Sequence, residues 1–462
     1  MRLHRGDDRR VLPPGVGAPR AAAEPTLRLR GRLRPKLHCV SGLSLHRPAG
    51  PSDIQIAGRT DAVTCLPETG CAPATAALLA AGGVARPPRF RVLAVGPDPR
   101  EIGGMSTVVA QMLELDWGPR GEVRFQRITT GGRVRETMLG KLRRHGLQTR
   151  TLRKRIRREG INVLHMHTCS GASFWRSAAD MTTARGSGCA TVLHVHGAMF
   201  DQFVTGSGRT ARRLVRLVLE RADAVIALGE HWARAIRACA PRANIRVIPN
   251  AVEIPPMSEV GKTGREAGAA CRFLLLAKLD AWKGVADLIE AAVILERSGA
   301  PFELVLAGPG GSAGSVKAVG AMITARGLST RVRCVGPLCG AARTEALRHA
   351  DVLVQPSHHE GMPMSVLEAM SFGKAVVASQ VGALPEVVEE GRTGLLVPPQ
   401  DPAALARAML RLVHAPELRH RLGDAGRRVI GDRFSLDRWR EALIDLYEDL
   451  LAERLRRHSC QA

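Results

Sequence analysis

Aromatic side chains are scarce in this chain, at 3% of 462 residues with a single tyrosine. Single-stranded nucleic acid is held by stacking on several such rings, and no helix-turn-helix, zinc-finger or aromatic RNA-binding signature takes their place. Nucleic acid is therefore not an expected partner. Long apolar runs are missing too. The longest, Ala74 to Ala85, falls short of the roughly 18 residues that cross a bilayer and lies too far from Met1 to read as a signal sequence. A soluble, cytoplasmic protein is the expectation. The 10 cysteines include no CxxC pair, which argues against zinc and against a disulfide framework; they read as reduced thiols packed like small apolar side chains. There is also no Asp-x-Asp pair of the kind that seats a divalent cation against a diphosphate.

Basic charge, by contrast, is abundant. Sixty-seven Lys and Arg face 43 Asp and Glu, a formal net charge of +24. Such an excess attracts polyanions and carries no information about fold; nucleic acid, an anionic membrane surface and phosphorylated substrates all fit it. Residues 1–88 mix Pro, Arg, Ala and Gly without sustained periodicity and read as a disordered basic extension. They hold 13 basic and 6 acidic residues, so the remainder keeps +17 and is basic in its own right. Patterned sequence starts at Phe90, so the extension is expected to be dispensable for fold and chemistry, and initiation near Val84 would leave the patterned portion whole.

From Phe90 short apolar runs alternate with amphipathic stretches. Strands are predicted at Arg91–Val95, Asn162–His167, Thr191–His196, Ala224–Leu228 and Ile245–Pro249. After a Pro, Gly, Lys and Glu-rich linker at 253–270, they resume at Arg272–Ala277, Glu303–Ala307, Val332–Val335, Val352–Gln355, Ala375–Ala378 and Gly394–Val397. Strands alternating with helices imply parallel sheets covered on both faces, hence an α/β protein of two doubly wound domains, 89–252 and 271–435. A final amphipathic helix, Leu436–Arg456, carries Trp439, Leu443, Leu446 and Leu450 on one stripe. In such sheets ligands bind beyond the carboxyl ends of the strands.

The most informative string is Ser357-His358-His359-Glu360-Gly361-Met362-Pro363-Met364-Ser365-Val366-Leu367-Glu368-Ala369. It follows a predicted strand and enters a helix near Ser365. Gly361 and Pro363 shape a tight loop whose amides can face an anion, and the helix start adds unpaired N–H donors and the positive end of its dipole. Glu360 and Glu368 can then hold two sets of hydroxyls on either side of a bound phosphate.

This string resembles the E-x7-E signature of the retaining family 4 glycosyltransferases, which have the two-domain GT-B fold. Gly382-Ala383-Leu384-Pro385-Glu386 resembles that family's GG-x-PE turn, Gly391–Asp401 its "G-x-TGLLV-P…D" segment, and Pro249-Asn250 the "PN" that closes the N-terminal domain. The resemblance runs from about Phe90 to the C-terminus. It implies two facing Rossmann-like domains with a cleft between them: 89–252 for the acceptor, 271–435 for the nucleotide sugar, and a C-terminal helix, 436–462, packing back on the N-terminal domain. By position, it implies that Glu368 binds the donor ribose and Glu360 the sugar hydroxyls. The amides of Gly361, Met362, Pro363's neighbour Met364 and Ser365 would lie along sugar and diphosphate, with Lys283 neutralising the latter. Lys278 stands where the family usually has arginine; lysine is a point charge where arginine grips two oxygens. Gly103 and Gly104 resemble the N-terminal glycine loop, and His196 the histidine beside the donor sugar, a catalytic role it would share with Glu360.

The resemblance implies no cofactor and no metal, the diphosphate charge being met by lysines, amides and a helix dipole. His165 and His167 end one strand, His194 and His196 another, and alternation puts each pair on one face. A metal site has that geometry, and so do neutral structural histidines; the second reading is adopted, with His165 and His167 lining the acceptor side. Ser173-Phe174-Trp175-Arg176 resembles a segment of exopolysaccharide-building family members, where Arg176 would meet an acceptor phosphate. Lys141 to Arg158 holds nine Lys or Arg in eighteen positions, enough for peripheral contact with an anionic inner leaflet at about 1 kcal/mol per basic residue. The expected partners are thus a nucleotide diphosphate-sugar and a glycan or polyprenyl-diphosphate-linked acceptor. A nucleotide-sugar epimerase of similar shape, and a non-catalytic polyanion-binding protein, are the competing readings.

Overall fold

A computed structural model describes residues 89–118, 121–127, 138–260, 269–312 and 314–459. The extension read at 1–88 lies outside the described residues, as does 261–268 of the expected linker.

Among the described residues, twelve strands form two parallel six-stranded sheets. The first takes β1 (Phe90–Gly96), β2 (Gly121–Arg127), β3 (Val163–Thr168), β4 (Ala190–Val195), β5 (Ala224–Ala227) and β6 (Ile245–Val247) in the order β2-β1-β3-β4-β5-β6. The second takes β7 (Cys271–Leu276), β8 (Phe302–Ala307), β9 (Val332–Gly336), β10 (Val352–Gln355), β11 (Ala375–Ser379) and β12 (Leu395–Val397) in the order β12-β11-β10-β7-β8-β9. Strands β3, β4, β5, β10 and β11 are buried along their whole length, as parallel strands covered on both faces must be.

The covering helices of the first half are α1 (Gly104–Glu114), α2 (Met138–Arg158), α3 (Ala172–Arg185), α4 (Phe200–Thr205), α5 (Arg209–Arg221) and α6 (Glu230–Cys239). Those of the second are α7 (Val285–Arg297), α8 (Val316–Ala325), α9 (Gly340–His349), α10 (Met364–Ser371), α11 (Leu384–Val387), α12 (Pro402–His414) and α13 (Pro416–Arg433). The basic stretch 141–158 lies in α2. No helix among the described residues is long and apolar enough to cross a membrane. Cys169, Cys189, Cys239, Cys271 and Cys334 are free thiols.

The last helix, α14 (Leu436–Ser459), belongs to the first sheet in space. Its Tyr447 ring packs on Phe90 and Trp117 at centroid distances of 5.3 and 6.2 Å, and Trp439, Leu443, Leu446 and Leu450 are buried in the same cluster. The chain thus passes between the two halves twice, and the passages touch: the Val252 amide donates to the Phe434 carbonyl at 3.0 Å, within a parallel bridge between Val252 and Ser435.

Each sheet has one place where strand order reverses, between β1 and β3 in the first and between β7 and β10 in the second. Loops leaving such neighbours diverge to opposite faces and open a crevice. The glycine loop 103–104 follows β1, Lys278 to Lys283 follow β7, and the 357–369 string follows β10.

Candidate active site

The chemistry concentrates at the reversal in the second sheet. Glu360 is 4% exposed, and one of its carboxylate oxygens accepts from three donors: Lys283 Nζ at 2.5 Å, Gln355 Nε2 at 2.7 Å and Ser357 Oγ at 2.8 Å. Gln355 is itself held, its Oε1 accepting from Ser365 Oγ at 3.0 Å. Burying a carboxylate without such partners is costly. Lys283 ends a 3-10 turn, Ala281–Lys283, and its ammonium also sits 4.2 Å from the Trp282 ring centroid. Gly284, at φ 71°, lets this turn press on the next loop, since a Cβ there would stand 2.0 Å from the Pro356 carbonyl oxygen. The His358 amide closes the contact by donating to the Trp282 carbonyl at 2.7 Å.

Lys278 is placed differently. Its side chain is 58% exposed, with Nζ 3.5 Å from Asp280. Of the two lysines, Lys283 is the one drawn into the buried cluster.

Glu368, one turn into α10, pairs with Arg343 of α9 through Nε at 2.9 Å and Nη2 at 2.5 Å. Burial raises its carboxyl above the ordinary range, and Arg343 pulls the other way. At the head of α10 Pro363 provides no capping side chain, so the amides of Met364 and Ser365 lack partners within the helix.

The first domain grips this loop. The Trp232 indole donates to the Gly361 carbonyl at 3.1 Å and Asn250 Nδ2 to the Met362 carbonyl at 2.9 Å. A Cβ on Gly361 would lie 2.9 Å from the His196 carbonyl oxygen, so glycine permits the approach. Gly104, just after the N-cap Gly103, lies near Met364, whose Cγ would be 3.8 Å from a Cβ at 104. Glu386 reaches back across: its carboxylate accepts from the amides of Glu230 and His231, both at 2.7 Å, at the start of α6. A carboxylate at a helix N-terminus is favoured by the exposed amides and the dipole. Gly229 leaves room for it, since a Cβ there would come within 2.6 Å.

His196 stands at the end of β4, partly exposed, with Nε2 3.0 Å from His167 Nδ1. Burial pushes it down to about 3, so it is a neutral hydrogen-bonding group at neutral pH. His165 and His167 do not line an acceptor surface, contrary to the expectation. They are 0% and 1% exposed, His165 against Tyr447 of α14 and His167 among the rings of His165, His194 and His196. Tyr447 Oη lies 2.7 Å from His165 Nδ1, and His165 Nε2 lies 3.1 Å from His194 Nδ1. Nitrogens of His165, His167 and His194 come within 4.8 Å of one another, close enough to hold a metal ion, and the Nε2 atoms of His167 and His194 are buried without a partner. Arg176 lies half-buried in α3, one turn before Asp180. Burial lifts the Asp180 carboxyl to about 7 and Arg176 draws it down.

Gln355, Ser357, Arg343, Trp232 and Asn250 were not singled out as site residues from the sequence. A polar Gln355 ending an apolar strand was a usable signal; Arg343, 25 residues from Glu368, gave none.

Comparison with known proteins agrees with this geometry. Residues 102–254 match the model for Glycosyltransferase Family 4, and residues 268–429 that for Glycosyl transferases group 1. The chain is 30% identical over 177 residues to an alpha-D-kanosaminyltransferase of Streptomyces kanamyceticus, spanning 38% of this chain and 45% of that protein. It is 35% identical over 218 residues to a D-inositol 3-phosphate glycosyltransferase of Actinosynnema mirum, spanning 44% and 52%. The aligned part is thus about half the length of these curated relatives. Among solved structures, sucrose-phosphate synthase from Thermosynechococcus elongatus superposes with TM-score 0.66 at 21% identity, covering 79% of this chain and 100% of that one. Anabaena HepE in complex with UDP and glucose gives 0.61 at 18%, covering 78% and 99%. These likenesses establish the two-domain GT-B architecture, and with the two matched halves they place the chain in the family 4 glycosyltransferases.

Proposed function

We propose that this protein is a metal-independent, retaining glycosyltransferase that moves a sugar from a nucleotide diphosphate donor to a glycan or lipid-linked acceptor at the cytoplasmic face of a membrane. The observation that carries the reading is the Glu360 cluster, a buried carboxylate and its lysine at the strand-order reversal, opposite His196. HepE has been captured with UDP-glucose, which favours a donor of that chemical class here.

In this reading the Lys283–Glu360 pair is a resting state. A bound donor takes over both partners: the ammonium moves to the diphosphate, and the carboxylate turns to the sugar hydroxyls. Gln355 and Ser357 keep Glu360 in place while its cation leaves. The amides of Gly361 to Ser365 face the phosphates, Glu368 takes the ribose hydroxyls, and Lys278 approaches from the exposed side. Charge that develops on the leaving diphosphate is thereby met by preorganised donors. His196, neutral, hydrogen-bonds the donor sugar without adding charge. Gly103 and Gly104 allow close approach of donor or acceptor from the other wall.

Transfer from a nucleotide sugar to an acceptor should persist in excess EDTA, with the anomeric configuration of the product retained by NMR. Glu360→Gln should cut turnover while nucleotide binding survives, and Glu368→Ala should weaken nucleotide binding by roughly 10- to 100-fold, the ~1.5–3 kcal/mol of a charged hydrogen bond. Full activity in both variants, or loss in EDTA with rescue by magnesium or manganese, would overturn the assignment. Conversion of donor alone, without acceptor, would turn it into an epimerase.

A further inference from the structure

The exposed face of α5 is the feature that the site leaves unexplained. The helix is anchored by Val215 and Leu219, both 0% exposed, yet its outward side carries Leu214 and Leu217, at 47% and 41%. Single exposed leucines are ordinary. Two of them one turn apart, on a helix whose outward positions should be polar, are less so. Around them stand Arg209, Arg212, Arg213, Arg216 and Arg221, against one acid, Glu220. Glu220 is taken by Arg216 at 2.9 Å and Arg212 donates to the Ser207 carbonyl at the same distance. Arg209, Arg213 and Arg221 form no ion pair with the described residues.

We propose that α5 docks this enzyme on an anionic lipid surface, with Leu214 and Leu217 entering the acyl boundary and the arginines lying among the headgroup phosphates. The pairing of residue types selects this occupant. Nucleic acid would engage the arginines and gain little from the leucines. At an anionic interface both are satisfied at once, because guanidinium groups reach up to phosphate while their stems and the leucines sit deeper. The location fits the proposed chemistry and rests on it. Helix α5 follows α4 directly, and Gln202 of α4 lies 3.3 Å from His359 in the 357–363 loop. A membrane beneath α5 therefore lies beside the cleft, where a lipid-linked acceptor would enter.

The test uses the full chain with vesicles of phosphatidylglycerol and phosphatidylethanolamine, and vesicles of phosphatidylcholine as the uncharged control. The protein should sediment with the anionic vesicles only, less so at high salt, and hydrogen exchange over 205–222 should slow in their presence. Arg209→Gln/Arg213→Gln should lower the partition coefficient about 30-fold at low salt, from ~1 kcal/mol per basic residue. Leu214→Ser/Leu217→Ser should lower it at least tenfold, whereas Arg456→Gln/Arg457→Gln on α14 should not. Sedimentation with unchanged exchange over 205–222 overturns the proposal, as does absence of binding. DNA binding lost in the arginine pair but kept in the leucine pair would assign the surface to nucleic acid instead. Nucleotide-diphosphate binding, followed separately by thermal shift, distinguishes failure of this surface from failure of the proposed chemistry.

Discussion

Acidification should unfold this protein through its first sheet, by an amount that follows from the histidine stack. His165, His167 and His194 are at most 1% exposed, and burial holds each far below the ordinary imidazole range, His165 at about 3. In the unfolded chain these rings titrate near ~6.5. Below that pH the unfolded chain binds protons that the folded chain refuses, so stability present above about pH 6.5 is lost as the pH falls. At about pH 5 each ring costs about 2 kcal/mol, or about 6 kcal/mol for the three. Two acids work in the opposite sense. Burial raises Asp180 to about 7 and raises Glu368 as well; there the folded chain takes up the proton first and gains stability over the same window. Asp180 offsets about 2 kcal/mol between about pH 7 and pH 5, leaving a net loss of about 4 kcal/mol from these three rings, to which His196, also held at about 3, adds about 2 kcal/mol, a large share of the ~5–15 kcal/mol of a typical domain.

Hydrogen exchange of the β3 and β4 amides, converted to opening free energies at several pH values, reads this directly. Two variants should move the result in opposite directions. His167→Gln removes one refused proton and flattens the pH dependence; Asp180→Asn removes the offset and steepens it. A free energy that stays level between about pH 7 and pH 5, or two variants that shift it the same way, would refute the reasoning.

Other perturbations test single contacts. Glu386→Ala removes two short bonds from a half-exposed carboxylate, so ~1.5–3 kcal/mol is a ceiling; small-angle scattering should show a wider particle and the donor KM should rise about tenfold, and a value like wild type for both would exclude the clasp. Arg343→Met deletes the group that opposes burial at Glu368, so the acid limb of nucleotide binding should move to higher pH; an unmoved limb removes Glu368 from the ribose site. Tyr447→Phe leaves His165 Nδ1 buried without its partner, at ~1–3 kcal/mol, which calorimetric melting should register; an unchanged melting temperature would show that the contact adds no stability.

Much of this arrangement was readable in the sequence because it depends on local pattern. Apolar runs marked the central strands, and the residues that follow them, Lys283, Glu360 and Glu368, fall where the chain leaves β7 and β10. What was not readable depends on distance along the chain or on an edge. Strand β2, GEVRFQR, interleaves charged and apolar residues and pairs on one side only, with β1, so no strand was predicted there. The expectation for His165 and His167 failed because both rings are buried, His165 under Tyr447, 282 residues away. Alternation showed which way the rings point and gave no sign of what lies over them. Cross-domain donors such as Trp232 and Asn250 escaped for the same reason: an indole and an amide become site residues only when a second domain brings a carbonyl to them.

The paired passages at Val252 and Ser435 limit how the two halves can move. A single connecting segment would act as a swivel, free to turn in any direction. Two segments joined side by side by a backbone hydrogen bond of 3.0 Å, at about a strand spacing of ~5 Å, act as a pair of hinge pins. Bending about the line through them is soft; twisting or sliding would have to break the bridge. Opening of the cleft is therefore a swing with essentially one degree of freedom. Glu386, bound to the head of α6, is the catch that such a swing must release before the two halves can part.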